Sequence, residues 1–351
     1  MVRLFILKDI NMKAVVFNGI GDISLKDATE PKIENAGDAI IKITTSSICG
    51  SDIHTKYKGN QDPGKIIGHE YCGVVTETGD NVQGIRTGDR VAGRPAFSCG
   101  QCYYCRHRQH SLCVNGGIFG VLGTQGVQAE YARIPFADNT LVKIPDGMQD
   151  EDVIFAGDIL STGLSGLLRT DVGLGDTIAV FGAGPVGLCA IATAPLFGAG
   201  LVIAVDILDY RLDIAEKFGA VTINASKEDP VARIRELTNK IGVDAGIEAG
   251  GTEATIKACL KSTRRGGKAS ILGLIDKPFL FDLRKRFFDI FTLSMGYGDQ
   301  NHMEDLINLI ACGRLSLRSL ITHTYPLSDA LVAYDVFEKR EGGCIKVMLK
   351  P

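Results

Sequence analysis

Apolar and polar positions keep two different rhythms along this chain, and the change comes near Ala156. From Met12 to about Gly147 the rhythm is short and two-fold. AIIKITTSSI (39–48), CGVVTETG (72–79), DRVAG (89–93) and QAEYARIPF (128–136) carry it between breaks rich in glycine and charge, as half-buried strands do. They predict an irregular β-barrel in which the strand 39–48 delivers Cys49 at its end. A helix is predicted over 150–170, leading into TIAVFGAGPVG (177–187). Strand-like and helix-like segments then alternate: LVIAVDI (201–207), a helix through RLDIAEKFG, AVTIN, a helix near 230–241, VDAGIEAG (243–250), another helix and KASILGL (268–274). Val/Ile-rich runs alternating with helices predict a parallel, doubly wound sheet. Beyond Tyr297 a helix (301–312), a loop, a helix (327–339) and a closing strand GCIKVMLKP form a tail too short to stand alone, so it is expected to return to the first domain. The expected class is α/β, with domains over 12–157 and 158–298 and the returning segment over 299–351.

Composition narrows the function. The 351 residues suffice for two domains with sizeable cores. The chain is 45% hydrophobic and 23% charged, with formal net charge −3, and no basic excess points to nucleic acid or an anionic membrane. No apolar run reaches the roughly 20 residues of a membrane-spanning helix. Met1–Asn11 lacks a signal peptide's apolar core and cleavage site. With Met12 opening a strand-like KAVVF, residues 1–11 are expected to be an extension without function. Of the ten cysteines, four fall between residues 99 and 113 and the rest are scattered. That pattern fits metal ligands and buried thiols in a reducing cytoplasm better than a secreted disulfide framework.

The candidate chemistry concentrates in Cys49-Gly-Ser-Asp-Ile-His54 and Gly68-His-Glu70. Cys49 and His69 supply the sulfur and nitrogen that zinc selects when one coordination position stays open. Asp158, in FAGDILSTG, is the third candidate; thiolate, imidazole and carboxylate together leave the fourth corner for water or alkoxide. The alternative for Asp158 is a helix N-cap. Glu70 follows His69 directly and can reach the metal when substrate is absent, and Asp52 suits the task of orienting the His69 ring. Cys99, Cys102, Cys105 and Cys113 are spaced C-x-x-C-x-x-C-x(7)-C, which fits a closed tetrahedral zinc that holds a lobe (98–114) together. His107 and His110 beside them are expected to face solvent. Gly182, Gly184, Pro185, Val186 and Gly187 follow an apolar strand and open a helix, where glycines admit a pyrophosphate to the helix N–H groups. Asp206 ends the next strand; a carboxylate there accepts from ribose hydroxyls and repels a 2′-phosphate, so NAD is expected. Its alternative is a cap on the following helix. Arg211 is close enough to touch the adenine side, or else is an exposed helix residue.

Taken together these motifs resemble the zinc-dependent medium-chain alcohol dehydrogenases from Met12 to the C-terminus. The resemblance rests on Cys49–His54, Gly68–Glu70, the four-cysteine lobe, Asp158 with Ser161-Thr-Gly163, and GAGPVG with Asp206. It implies a GroES-like catalytic domain and a Rossmann domain with the active site in the cleft between them. It implies two Zn2+ per chain, one catalytic and one structural, with Ser51 bonding the substrate oxygen and His54 ending a proton relay. An aspartate as third ligand is similar to bacterial secondary alcohol dehydrogenases and formaldehyde-type enzymes. The short span from Cys113 to Asp158 favours the microbial, tetrameric type, with a dimer as the alternative. The chain departs from the bacterial secondary enzymes, which use NADP and lack the structural cysteines. A small to medium alcohol, secondary by preference, is the expected partner, with Ile118, Phe119, Leu160 and Met295 as candidate pocket walls and plain core as their alternative. Polyol, amino-alcohol and formaldehyde-dismutating activities are the competing readings. A zinc- and nucleotide-binding protein without activity is disfavoured, because such relatives lose residues of the Cys49, His69 or Ser51 type.

Overall fold

The structure is a computed structural model that describes residues 11–275 and 277–351; residues 1–10 of the leading extension lie outside it. The chain divides into two compact units, one ending at Gly157 and resuming over Ile321–Pro351, the other Asp158–Leu320.

In the first unit Asn11–Gly19 and Asp22–Thr29 form an antiparallel hairpin. The larger sheet is built on Ala39–Ile48, which is buried along most of its length. It pairs with Glu70–Thr78 along one side, with Tyr131–Ile134 at its start and with Lys346–Lys350 at its end. Ile41, Ile43, Tyr71, Val75, Val91, Phe119 and Ile134 make a common core under this sheet. Lys346–Lys350 lies between Ile321–Pro326 and Ala39–Ile48, so the tail contributes two strands to the unit where the chain begins. Residues 299–320, expected with that tail, group instead with the second unit, including the helix Met303–Ala311.

The second unit holds one six-stranded sheet, ordered Val221–Asn224, Leu201–Asp206, Thr177–Phe181, Val243–Glu248, Thr263–Ile271, Thr292–Met295. Every neighbouring pair is parallel. The first and fourth strands in chain order lie side by side, so the order reverses there, and open α/β sheets bind ligands at the strand ends beside that reversal. The edge strand Thr292–Met295 was not legible as a strand. The helix predicted over 150–170 is two helices, Asp150–Val153 and Ile159–Arg169, separated by turn residues 154–158. Within that turn glycine is required at 157, where a Cβ would lie 2.2 Å from the carbonyl oxygen of Gly93. Among the described residues no helix is long and apolar enough to cross a membrane.

Candidate metal and cofactor site

Cys49 follows the strand Ala39–Ile48 directly and is the N-cap of the helix Gly50–Lys58. Asp52, three residues on, accepts the Cys49 backbone N–H at 2.9 Å, the reciprocal half of a capping box, with a carboxylate where the helix dipole favours one. The same side chain faces the imidazole of His69, with Asp52 Oδ1 3.2 Å from Nδ1. A carboxylate on one ring nitrogen sets the tautomer and leaves the other as donor to a metal. That other nitrogen, Nε2, has the Ser51 hydroxyl 3.1 Å away. His54 sits on the same helix, one turn beyond Ser51.

Asp158 occupies the N-cap position of Ile159–Arg169, but its side chain makes no capping hydrogen bond. Cys49 Sγ, a ring nitrogen of His69 and a carboxylate oxygen of Asp158 lie within 4.8 Å of one another. The three donor types suit zinc, and the set stops one short of a closed tetrahedron. Glu70 stands outside this cluster: its carboxylate is paired with the Lys346 ammonium, which also donates to the Ile48 carbonyl at 2.7 Å. Both partners of that pair are buried.

The sulfurs of Cys99, Cys102, Cys105 and Cys113 form the second cluster, likewise within 4.8 Å. Closest approaches are 3.5 Å for Cys102–Cys105 and for Cys99–Cys113. Burial opposes ionisation of Cys99, yet the backbone amide of Gln101, the side chain of Asn115 and the amide of Cys102 hold its thiol down to about 6. Such a sulfur is a ready thiolate ligand. His110 bonds Ser98 and His107 bonds the Tyr103 carbonyl; neither joins the cluster.

In the second unit Thr177–Phe181 runs into Gly182 (φ +95) and then into the helix Pro185–Thr193, capped by Gly184 with Pro185 in its first turn. Glycine is required twice. A Cβ at Gly187 would meet the Gly182 carbonyl oxygen at 1.9 Å, and one at Gly182 would meet Gly250 N at 2.7 Å. Val186 is on the same first turn as Pro185. Asp206 ends its strand and accepts from the amides of Ala183 (2.7 Å), Ile207 (2.7 Å) and Leu208 (3.0 Å). The Arg211 guanidinium lies 3.8 Å from it. Asp206 thus binds the turn that precedes the helix Asp209–Lys217 without capping it.

The four candidate pocket residues differ in burial and in the elements that carry them. Phe119 is buried against Tyr71 and Phe97, and Leu160 is wholly buried on its helix. Ile118 is half-buried on the short strand Gly117–Ile118. Met295 is 65% exposed on the edge strand, where it lines an apolar hollow with Phe279, Phe281 and Leu293.

Four residues at these sites were not singled out by the sequence. Lys346 pairs Glu70, and Gln128 donates to Asp52 while accepting from Tyr334. Glu248 accepts from the amides of Gly250 and Gly251, the loop against which Gly182 packs. A lysine inside the apolar run CIKVML and a carboxylate at the end of VDAGIE were available signals. Gln128 and Tyr334 gave none.

Comparison with known proteins identifies the family. Residues 35–146 match the Alcohol dehydrogenase GroES-like domain, and residues 185–311 match Zinc-binding dehydrogenase. An alcohol dehydrogenase of Cupriavidus necator is 38% identical over 373 aligned positions, covering 97% of this chain and 99% of the relative. A sorbitol dehydrogenase of Bacillus subtilis is 32% identical, covering 97% and 98%. The solved alcohol dehydrogenase from Thermus sp. ATN1 superposes with a TM-score of 0.92 at 38% identity, covering 97% of this chain and 99% of that one. The chain belongs to the zinc-dependent medium-chain alcohol dehydrogenases, enzymes that interconvert alcohols and carbonyl compounds.

Proposed function

We propose that this chain interconverts a small to medium secondary alcohol and its ketone, using NAD, with Cys49, His69 and Asp158 holding a catalytic zinc and the four-cysteine lobe a structural one. The observation that carries the reading is the convergence of three donor atoms within 4.8 Å, with Asp52 on the far nitrogen of His69 and the Ser51 hydroxyl beside the near one. A zinc ion held there would lower the pKa of a bound alcohol and polarise a carbonyl. Ser51 would take the hydroxyl proton of the substrate as it gives up its own, and the proton would leave by way of the nicotinamide ribose and His54. Asp52 keeps the His69 ring in one tautomer throughout. The amides opening the helix Pro185–Thr193 would hold the cofactor's pyrophosphate, and Asp206 would take the adenosine ribose hydroxyls. Asp206 is the support for NAD over NADP, since a 2′-phosphate would bring negative charge against its carboxylate, and the Arg211 guanidinium stands 3.8 Å off.

A polyol dehydrogenase is the second reading, favoured by the sorbitol dehydrogenase relative. The chain is proposed to work in the cytoplasm, as no disulfide joins its ten cysteines, which suits a reducing compartment. It is proposed to act as a homotetramer. Phe287, Phe288 and Ile290 are 75%, 78% and 85% exposed beside the edge strand Thr292–Met295, more apolar surface than a lone edge tolerates. One experiment tests the substrate and cofactor assignment: 2-butanol, 2,3-butanediol, sorbitol and threonine, with their carbonyl products, assayed in both directions with NAD and with NADP. A preference for 2-butanol and NAD supports the proposal, and faster turnover of sorbitol or with NADP overturns the corresponding half.

A further inference from the structure

A buried chain of polar side chains runs behind His69. Tyr334, on the helix Ala330–Lys339, donates its hydroxyl to Gln128 Oε1 at 2.7 Å. Gln128 Nε2 donates to Asp52 Oδ2 at 3.2 Å and to the Ser47 carbonyl at 3.3 Å. Asp52 in turn faces His69 Nδ1 at 3.2 Å. Tyr334 and Gln128 are 1% and 0% exposed.

The direction of each hydrogen bond that Gln128 makes is forced. Asp52 and the Ser47 carbonyl are both acceptors, so the glutamine must present its NH2 to them, and a flipped amide would set its oxygen against two others. The carbonyl end is then left for Tyr334, which must donate. The backbone is shaped to admit the glutamine: a Cβ at Gly68, with φ +90, would fall 2.4 Å from Gln128 Cγ. The glycine of the Gly68-His69-Glu70 motif is therefore required by the residue packed beneath it.

We infer that Gln128 and Tyr334 are positioning residues for the metal site, aiming Asp52 at His69 so that Nε2 is the nitrogen offered to zinc. The inference rests on the proposed ligand set. Asp52 Oδ2 already accepts the Cys49 amide; the amide of Gln128 is the second donor that stops the carboxylate rotating away from the ring. Removing it frees the His69 ring to turn, and the affinity of one zinc falls while the four-cysteine site, which shares none of these bonds, keeps its own.

The test is zinc release from the full-length protein to a chromogenic chelator, with both ions followed in one trace. Gln128→Leu is expected to release one zinc about 10–100-fold faster, the usual effect of losing a partner behind a ligand, and Tyr334→Phe to do so by a smaller factor, with the other zinc unchanged in both. Equal acceleration of both ions would mean general loosening and overturns the inference, as does wild-type release from both variants. Should Gln128→Leu fail to fold, Tyr334→Phe removes only a hydroxyl and decides alone. Cys49→Ser separates the underlying reading: it should lose one zinc outright, and if it keeps both, the ligand set itself is wrong.

Discussion

Glu248 offers the sharpest test of how the cofactor turn is held. Its Oε1 accepts from the amides of Gly250 (2.8 Å) and Gly251 (2.7 Å) and from Thr255 Oγ1 (2.7 Å), and the residue is fully buried. Glu248→Ala leaves three donors without their acceptor. Each unsatisfied buried group costs about 1–3 kcal/mol, and water entering the space left behind keeps the total near the low end, at about 3 kcal/mol. For a unit of this size that is a fall in Tm of about 6–12 °C. Glu248→Gln retains the accepting oxygen and removes only the charge. Burial raises the carboxyl pKa despite the donors from Thr255 and the glycine amides, so the charged form is already penalised and the amide should cost under about 1 kcal/mol. The sign with pH follows. A raised folded pKa contributes stability that is complete below the unfolded glutamate value of about 4.3 and is lost as pH rises through the folded value. Glu248→Gln should therefore gain on wild type as pH rises. Calorimetry gives the Tm, and hydrogen exchange at Gly250 and Gly251 reads the two amides directly. NADH fluorescence, in a chain with no tryptophan, should show weaker cofactor binding in Glu248→Ala, because Gly182 packs on Gly250. Equal losses in the Ala and Gln variants would refute the hydrogen-bond account.

Three further expectations follow from the same structure. Lys346→Met leaves the Glu70 carboxylate buried without its ammonium and should cost about 3–5 kcal/mol in urea unfolding; recovery of much of that loss in Lys346→Met/Glu70→Gln would confirm charge burial as the cause, and no recovery would refute it. Burial opposes the ionisation of Asp150, but Thr44, Arg90 and Thr45 donate to its carboxylate and hold the pKa below the ordinary range. That stabilisation is present above the unfolded aspartate value of about 3.9 and is lost as pH falls through the folded one, so the acid limb of the stability curve should flatten in Asp150→Asn; superimposable limbs would contradict the assignment. Asp206→Asn keeps an acceptor but removes the repelling charge, so its KM for NADP should fall by about tenfold while that for NAD rises, and an unchanged ratio would remove Asp206 from cofactor choice.

Elements and donors that depend on local pattern were readable from the sequence. TIAVFGAGPVG carries its strand, turn and helix within eleven residues, and the four cysteines announce their cluster by spacing alone. Ala39–Ile48 was readable as a strand from its long alternation, although it is buried on both faces and not on one as that alternation predicted. What stayed hidden was set by tertiary contact. Thr292–Met295 is four residues long and pairs on one side only, too little for a periodic signal. The contact that requires glycine at 157, inside the break at residues 154–158, comes from Gly93, more than sixty positions earlier. Gln128 and Tyr334 looked like an ordinary strand residue and an ordinary helix aromatic, and only folding brings the two, 206 positions apart, together behind His69.

The returning strand Lys346–Lys350 has a consequence for biosynthesis. A ribosome completes Cys49, His69 and their sheet early, but the strand that seals Ala39–Ile48 and neutralises Glu70 emerges only after the whole of Asp158–Leu320. Domains generally mature from the N-terminus as they are made; here the later-made nucleotide fold is free to finish first. The nascent metal-binding half waits with an open edge and an acidic group lacking its counter-ion, the interval in which a chaperone would be most needed.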